Sequence, residues 1–246
     1  MNIFEESVSR NQSNLCVGLD PDGVGDRFHF CREIVDKTYD LCAAYKINSA
    51  FFEASGDYDS LTRLITYIST RNIPVILDAK YSDIGNTAKQ YAKSAYEYYN
   101  VQSCTVVPFF GTEGINPFLE YEDRVTFLVA APSNKSSWIS WQDIDLASDK
   151  GNTIGEEIIN ESQMEPNAGF VIGATNEYFL NCARQRAKDN WILVPGVGSQ
   201  GGNLENSVKL LKHNFLISVS RDLYGSDTRR KALGYGDRIR QALHDV

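Results

Sequence analysis

Eight short apolar runs punctuate the chain, and their repeat constrains the fold more than any other feature. They are "LCVGLD" (15–20), "AAYKIN" (43–48), "IPVILDAK" (73–80), "SCTVVPF" (103–109), "VTFLVAAPS" (125–133), "GFVIGAT" (169–175), "WILVPGVG" (191–198) and "FLISVSR" (215–221). Runs that are apolar on both faces suit parallel strands buried between layers. Helical spacing fills the intervals. "FCREIVDKTYDLC", "DSLTRLITYISTRN", "TAKQYAKSAYEYYN", "NLENSVKLLKHN" and "RKALGYGDRIRQAL" each repeat apolar residues at steps of three and four. The least regular connection is 134–167, which passes Trp138 and Trp141 before "TIGEEIINES". Strand alternating with helix, without a linker, favours a (β/α)8 barrel that uses residues 1–246 as a single domain. The competing arrangement is a doubly wound open sheet. A barrel sets a geometric rule: functional groups collect at the C-terminal strand ends, and phosphate is often held after strands seven and eight.

Composition narrows the partners. The 246 residues carry a net charge of −8, which argues against a nucleic-acid partner or an anionic membrane surface. No apolar run reaches membrane-spanning length, and "MNIFEESVSRNQ" lacks the basic-then-apolar pattern of a signal peptide. The five cysteines (Cys16, Cys31, Cys42, Cys104 and Cys182) are scattered, without a C-x-x-C, and read as reduced thiols of a cytosolic protein.

Polar residues recur where the runs end. Asp20 closes the first, Lys46 lies near the end of the second, Asp78 and Lys80 close the third, and Ser133 follows the fifth. Gln200 follows the seventh, and Arg221 ends the eighth. One such residue alone would usually be solvated or cap a helix. Asp78 and Lys80 are two apart, so on a strand both point the same way, toward the barrel's inner mouth. With Lys46 and Asp83 they can form a Lys-Asp-Lys-Asp array without net charge, which is either an active-site network or a structural one. Asp83 also stands where the next helix begins, so spacing leaves it open between N-cap and active-site acid, and Ser82 competes for the cap.

"PGVGSQGGN" brings Gly196, Gly198, Gly201 and Gly202 together. Glycines let backbone N–H groups approach an anion, although a tight turn needs them equally. Arg221, at the adjoining strand end, offers a bidentate fork and favours a phosphate site there. No Walker loop and no G-x-S-x-G elbow occur. His29, His213 and His244 are isolated and show no metal-ligand spacing.

These segments together resemble the orotidine 5′-phosphate decarboxylase family. "DAKYSDIGNT" resembles its D-x-K-x-x-D signature, and "PGVGSQGG" its phosphate loop. "LDPD", "AYKIN", "VVPFFG", "PSN", "VIGAT" and "VSRDLY" follow in the family's order, over roughly residues 4 to 235. The likeness is to the branch with DIGNT-type and GAQGG-type motifs. It implies a (β/α)8 barrel that converts orotidine 5′-monophosphate to uridine 5′-monophosphate. It also implies no metal or organic cofactor, and a homodimer with sites near the interface.

Carried over residue by residue, the resemblance makes Lys80 the proton donor to C6 and sets Asp78 beside the leaving carboxylate. Asp83, Ile84 and Thr87 reach the neighbouring subunit's site. Lys46 and Asp20 bind ribose hydroxyls, Ser133 reads the pyrimidine edge, and Gln200 bridges base and phosphate. Arg221, with the backbone near Ser220, clamps the phosphate. The chain departs from the pattern at Pro132 and Val107, where the branch often has Thr and Asn.

Two other functions use the same features. A magnesium-dependent keto-sugar-phosphate lyase shares D-x-K-x-x-D, but would place an acid where Lys46 stands. A non-catalytic barrel would bind a phosphate ligand and keep the charges as structure.

Overall fold

The computed structural model describes residues 3–134, 153–198 and 201–245. Its eight strands are β1 (Leu15–Leu19), β2 (Ala44–Asn48), β3 (Val75–Tyr81), β4 (Ser103–Val106), β5 (Val125–Ala131), β6 (Ala168–Ile172), β7 (Trp191–Val194) and β8 (Phe215–Val219). All neighbours pair in parallel, and the order runs β1 to β8 around a closed barrel. Closure is made by β1 against β8, with Leu15, Cys16 and Val17 opposite Ile217, Ser218 and Val219. That pairing excludes the open sheet. Each strand coincides with one of the eight apolar runs, and the runs overshoot mainly at the C-terminal end, where the chain leaves the sheet for the mouth.

The helices are α1 (Ile3–Asn11), α2 (Arg27–Thr38), α3 (Ala50–Glu53, a single turn), α4 (Tyr58–Ser69) and α5 (Gly85–Lys93). They continue with α6 (Thr112–Leu119), α7 (Ile154–Ser162), α8 (Glu177–Arg186), α9 (Leu204–Leu211) and α10 (Thr228–His244). Side chains start several of them. Asp26 accepts from His29 N, Asp57 from Ser60 N and Asn203 from Asn206 N, while Thr153 and Glu156 form a reciprocal capping box. Each such cap satisfies amides that the first turn leaves without an intrahelical partner. The α5 helix runs on into a π-turn at Ser94–Tyr98, which buries Tyr96 and leaves Tyr98 outside.

Two cores result. The larger fills the shell between strands and helices, and includes Leu64, Phe118, Phe170, Ile217 and Ile239. The smaller fills the barrel itself with Cys16, Ile76, Phe127, Trp191 and Leu216. Phe4 of α1 joins this inner core, with its ring 5.9 Å from Phe127 and 5.3 Å from Trp191. Thus α1 plugs one end of the barrel. All five cysteines are free and buried. Among the described residues no helix is long and apolar enough to cross a membrane.

Candidate active site at the barrel mouth

A cavity of about 440 Å³ opens at the C-terminal strand ends. This volume falls within the usual range for a small-molecule site. Asp20, Lys46, Asp78, Lys80, Ser133, Ser220 and Arg221 all line it. Strands β1, β2, β3, β5 and β8 thus deliver their predicted residues to one place. Val129, Val171 and Leu193, from β5, β6 and β7, form an apolar wall in the same cavity.

The charged groups form a chain. Lys46 Nζ donates to Asp78 Oδ2 at 2.5 Å, and Lys80 Nζ donates to Asp78 Oδ1 at 2.6 Å. Lys46 and Asp78 are buried, whereas the Lys80 side chain is 51% exposed toward the opening. Burial pushes the Asp78 carboxyl up, but Lys46 and then Lys80 outweigh it and hold the group well below the ordinary carboxylate range. For Lys46, burial pulls down, and Asp78 followed by Asp20 outweighs it, so the ammonium is held above its ordinary range. Both groups of this buried pair are therefore charged at neutral pH.

The two-residue spacing brings Asp78 and Lys80 together, though not through a regular strand. The β3–β4 register breaks between Leu77 and Tyr81, and Lys80 has a φ of 50°. A left-handed backbone is unfavourable for a side chain of this kind, so the conformation must be held by its surroundings. The Lys80 N–H donates to Thr105 Oγ1 at 2.9 Å, and that hydroxyl donates to Asp78 Oδ1 at 3.0 Å. Thr105, on β4, is a site residue that the spacing of charges did not reveal. Its signal was a polar residue on an inward strand position beside "DAK".

Asp20 differs from the other acid. Its backbone N–H donates to Tyr224 Oη at 2.8 Å, and the tyrosine donates on to Gly18 O at 2.9 Å. Its side-chain Oδ1 is buried without a hydrogen-bond partner. The residue itself lines the cavity, where its carboxylate could accept from a ligand hydroxyl.

Asp83 stays outside the array. Its Oδ1 accepts from Ile84 N at 2.8 Å, and Ile84 is itself the cap residue of α5, with no side-chain cap bond. The N-cap reading of Asp83 and its competitor Ser82 is therefore corrected: α5 begins one residue later, and Ser82 Oγ donates instead to Val107 O. Ile84 and Thr87 are exposed beyond the rim.

On the opposite rim, the segment carrying Ser133 is tied to the turn after β6. Gly173 N and Asn176 Nδ2 donate to Ala131 O, and Asn176 Nδ2 also reaches Pro132 O at 2.9 Å. A Cβ on Gly173 would come within 2.7 Å of Ser133 Cα, so glycine is what permits this approach. In the glycine-rich loop, Gly201 N donates to Gly198 O and Gly202 N to Gly196 O. Those two amides shape the loop and are not free for an anion. Gln200, Trp138 and Trp141 lie outside the described residues. Arg221 opens a short 3-10 turn after β8 and is exposed at the cavity, and among the described residues no carboxylate pairs with it.

Comparison with known proteins points to one family. The sequence profile of the family described as "Orotidine 5'-phosphate decarboxylase / HUMPS family" matches residues 13–234. An orotidine 5′-phosphate decarboxylase of Porphyromonas gingivalis is 37% identical, over 90% of this chain and 87% of its own length. One of Flavobacterium johnsoniae is 33% identical, over 99% and 96%. The solved structure of Leishmania donovani OMP decarboxylase superposes with a TM-score of 0.88 at 32% identity, covering 98% of this chain and 97% of that one.

Proposed function

The chain belongs to the orotidine 5′-phosphate decarboxylase / HUMPS family, and on that premise we propose that Lys80 protonates C6 as carbon dioxide leaves orotidine 5′-monophosphate. The reaction yields uridine 5′-monophosphate and is the last step of de novo pyrimidine synthesis. The observation that carries the assignment of Lys80 is the chain Lys46–Asp78–Lys80 at the cavity rim, in which the outermost cation is half-exposed and held by a buried carboxylate.

The chemistry needs that arrangement. Breaking the C6–carboxylate bond leaves an electron pair in the plane of the ring, where the π system cannot take it up. A cation fixed in advance at the carbon stabilises this charge without reorganising. Lys80 then gives one proton from its ammonium to C6, the electron pair becomes the new C–H bond, and water restores the proton to the amine. Asp78 stays ionised throughout and keeps the lysine aimed. In this reading the same carboxylate lies beside the departing one, as the family resemblance implies.

The rest of the cavity divides the substrate. Asp20 takes a ribose hydroxyl at the cavity wall, with Lys46 alongside. Ser133 faces the pyrimidine edge. Arg221 and the backbone near Ser220 hold the phosphate at the opposite rim, assisted by Gln200. Binding energy from the phosphate, remote from C6, then serves to organise the reacting end. Ile84 and Thr87 stand exposed beside the half-buried Asp83 on the chain that leaves β3, which suits delivery of all three into the site of a second subunit. The dimer predicts that Asp83→Asn and Lys80→Ala chains, each inactive alone, regain activity when mixed, through one restored site in each mixed dimer. No recovery from a mixture shown to contain mixed dimers sinks the shared site.

The decisive assay follows the absorbance of orotidine 5′-monophosphate with and without a strong chelator. Turnover that persists with chelator and disappears in a folded Lys80→Ala variant is the expected result. Near-normal turnover of that variant removes Lys80 from the reaction. Loss of turnover with chelator favours the metal-dependent lyase chemistry, against which Lys46 stands, because it puts a cation where a second acid would be needed beside Asp78.

A further inference from the structure

Thr105 stands at the junction of two unusual features, and nothing in the charge pattern explains it. The first is the left-handed backbone of Lys80. The second is the break in the β3–β4 ladder between Leu77 and Tyr81. A register break leaves a backbone N–H without its regular sheet partner, and a buried unpaired N–H is costly. Here the side chain of Thr105 supplies the acceptor, 2.9 Å from Lys80 N.

A hydroxyl has one proton to give. The Lys80 N–H can only donate, so the Thr105 proton is free to point elsewhere, and Asp78 Oδ1 lies 3.0 Å away. That carboxylate can only accept while ionised, and its pairing with two lysines keeps it ionised. The direction of both bonds is thereby fixed. Asp78 Oδ1 receives Thr105 Oγ1 and Lys80 Nζ together, while Oδ2 receives Lys46. One buried hydroxyl thus sets the main chain of Lys80 and the rotation of the carboxylate that aims its side chain.

We propose that Thr105 is a positioning residue for the decarboxylation: its hydroxyl holds Lys80 in the bulged conformation and orients Asp78, so that the ammonium is directed at C6 before substrate arrives. The proposal rests on the role of Lys80 given above. Thr105 itself transfers no proton. Its methyl group does not do this work, because both contacts run through Oγ1.

The test compares Thr105→Val, which keeps the shape and removes the hydroxyl, with Thr105→Ser, which keeps the hydroxyl. Loss of two bonds to charged or strained partners is expected to lower kcat by about 10- to 100-fold, with KM for orotidine 5′-monophosphate within about threefold of the parent. Thr105→Ser should stay within about threefold of the parent kcat. A valine variant that folds and keeps the parent kcat overturns the proposal, as does a serine variant as slow as the valine one.

Lys80→Ala measured alongside separates the two readings. An inactive Lys80→Ala with a fully active Thr105→Val discards the positioning role and leaves Lys80 in place. An active Lys80→Ala discards both. Amide hydrogen exchange in the unaltered protein gives an answer that no variant's folding can spoil. The Lys80 amide should be strongly protected through its bond to Thr105, and exchange at the rate of a free peptide refutes the proposal.

Discussion

The two rims of the cavity are built on opposite plans. Lys46, Asp78, Lys80 and Thr105 form a closed set of hydrogen bonds on β2, β3 and β4, with every oxygen of Asp78 engaged. Across the mouth, the segment carrying Ser133 is tied through the backbone of its neighbours Ala131 and Pro132, and Arg221 is exposed without a carboxylate partner among the described residues. The first rim already has its charges paired; the second presents an exposed cation, which under the proposed function the substrate would neutralise. Such a division suits a reaction whose barrier is electrostatic. Groups proposed to stabilise a transition state gain from being fixed beforehand, while groups proposed to hold a remote phosphate gain from being accessible.

Breaking the first rim should therefore disturb folding as well as chemistry. Asp78→Ala has the largest expected effect. It leaves Lys46 buried without its closest anion, and removing one partner of a buried pair commonly costs about 3–5 kcal/mol. Urea unfolding of the variant should show a midpoint lowered accordingly, together with lost turnover. A midpoint equal to the parent's would mean that the array is not stressed by burial.

The same rim predicts a pH dependence of stability. The Asp78 carboxyl is held below its ordinary value of 3.8, so its contribution is present above that pH and lost as the pH falls through and below it. The Lys46 ammonium is held above its ordinary 10.5, so its contribution is present below that pH and lost as the pH rises past it. Between these limits the pair should be insensitive to pH. Urea midpoints from about pH 5 to about pH 2 should fall less steeply for Asp78→Asn than for the parent, because the amide has no such proton to bind. Equal slopes would assign the acid sensitivity to other carboxylates.

The contrast also explains what could be read from sequence. The barrel was legible because eight buried parallel strands leave eight apolar runs, and Asp78 and Lys80 because charge at a strand end is conspicuous. The α1 plug was not, since its inward anchor, Phe4, is one aromatic in an otherwise polar stretch. Nor was α8, whose buried Phe179, Leu180, Cys182 and Ala183 sit among polar neighbours. The left-handed turn at Lys80 was hidden because period-two reasoning presumes a regular strand. Thr105 was hidden with it, since its role appears only once β4 is laid beside that bulge. The glycine loop was conspicuous and, with Arg221, suggested an anion site, but the fact that Gly201 and Gly202 spend their amides on the loop's own carbonyls was not legible. Sequence shows where charge accumulates more readily than which bonds hold it.

The smallest structural effect is expected on the second rim. Arg221→Ala removes an exposed side chain that no carboxylate among the described residues holds, so the urea midpoint should move by no more than about 0.5 kcal/mol equivalent. Its kinetic effect should still be clear. Losing charge-assisted bonds to the phosphate should raise KM for orotidine 5′-monophosphate by about 10- to 100-fold. A fall in kcat alongside would show that phosphate binding also helps to organise the reacting end, as remote binding energy can. The pairing of results is what matters. Asp78→Ala should lose stability and chemistry together, and Arg221→Ala should lose affinity with the fold intact. A large loss of stability on removing Arg221, or an unchanged KM, would erase the distinction between a rim built in advance and a rim completed by its substrate.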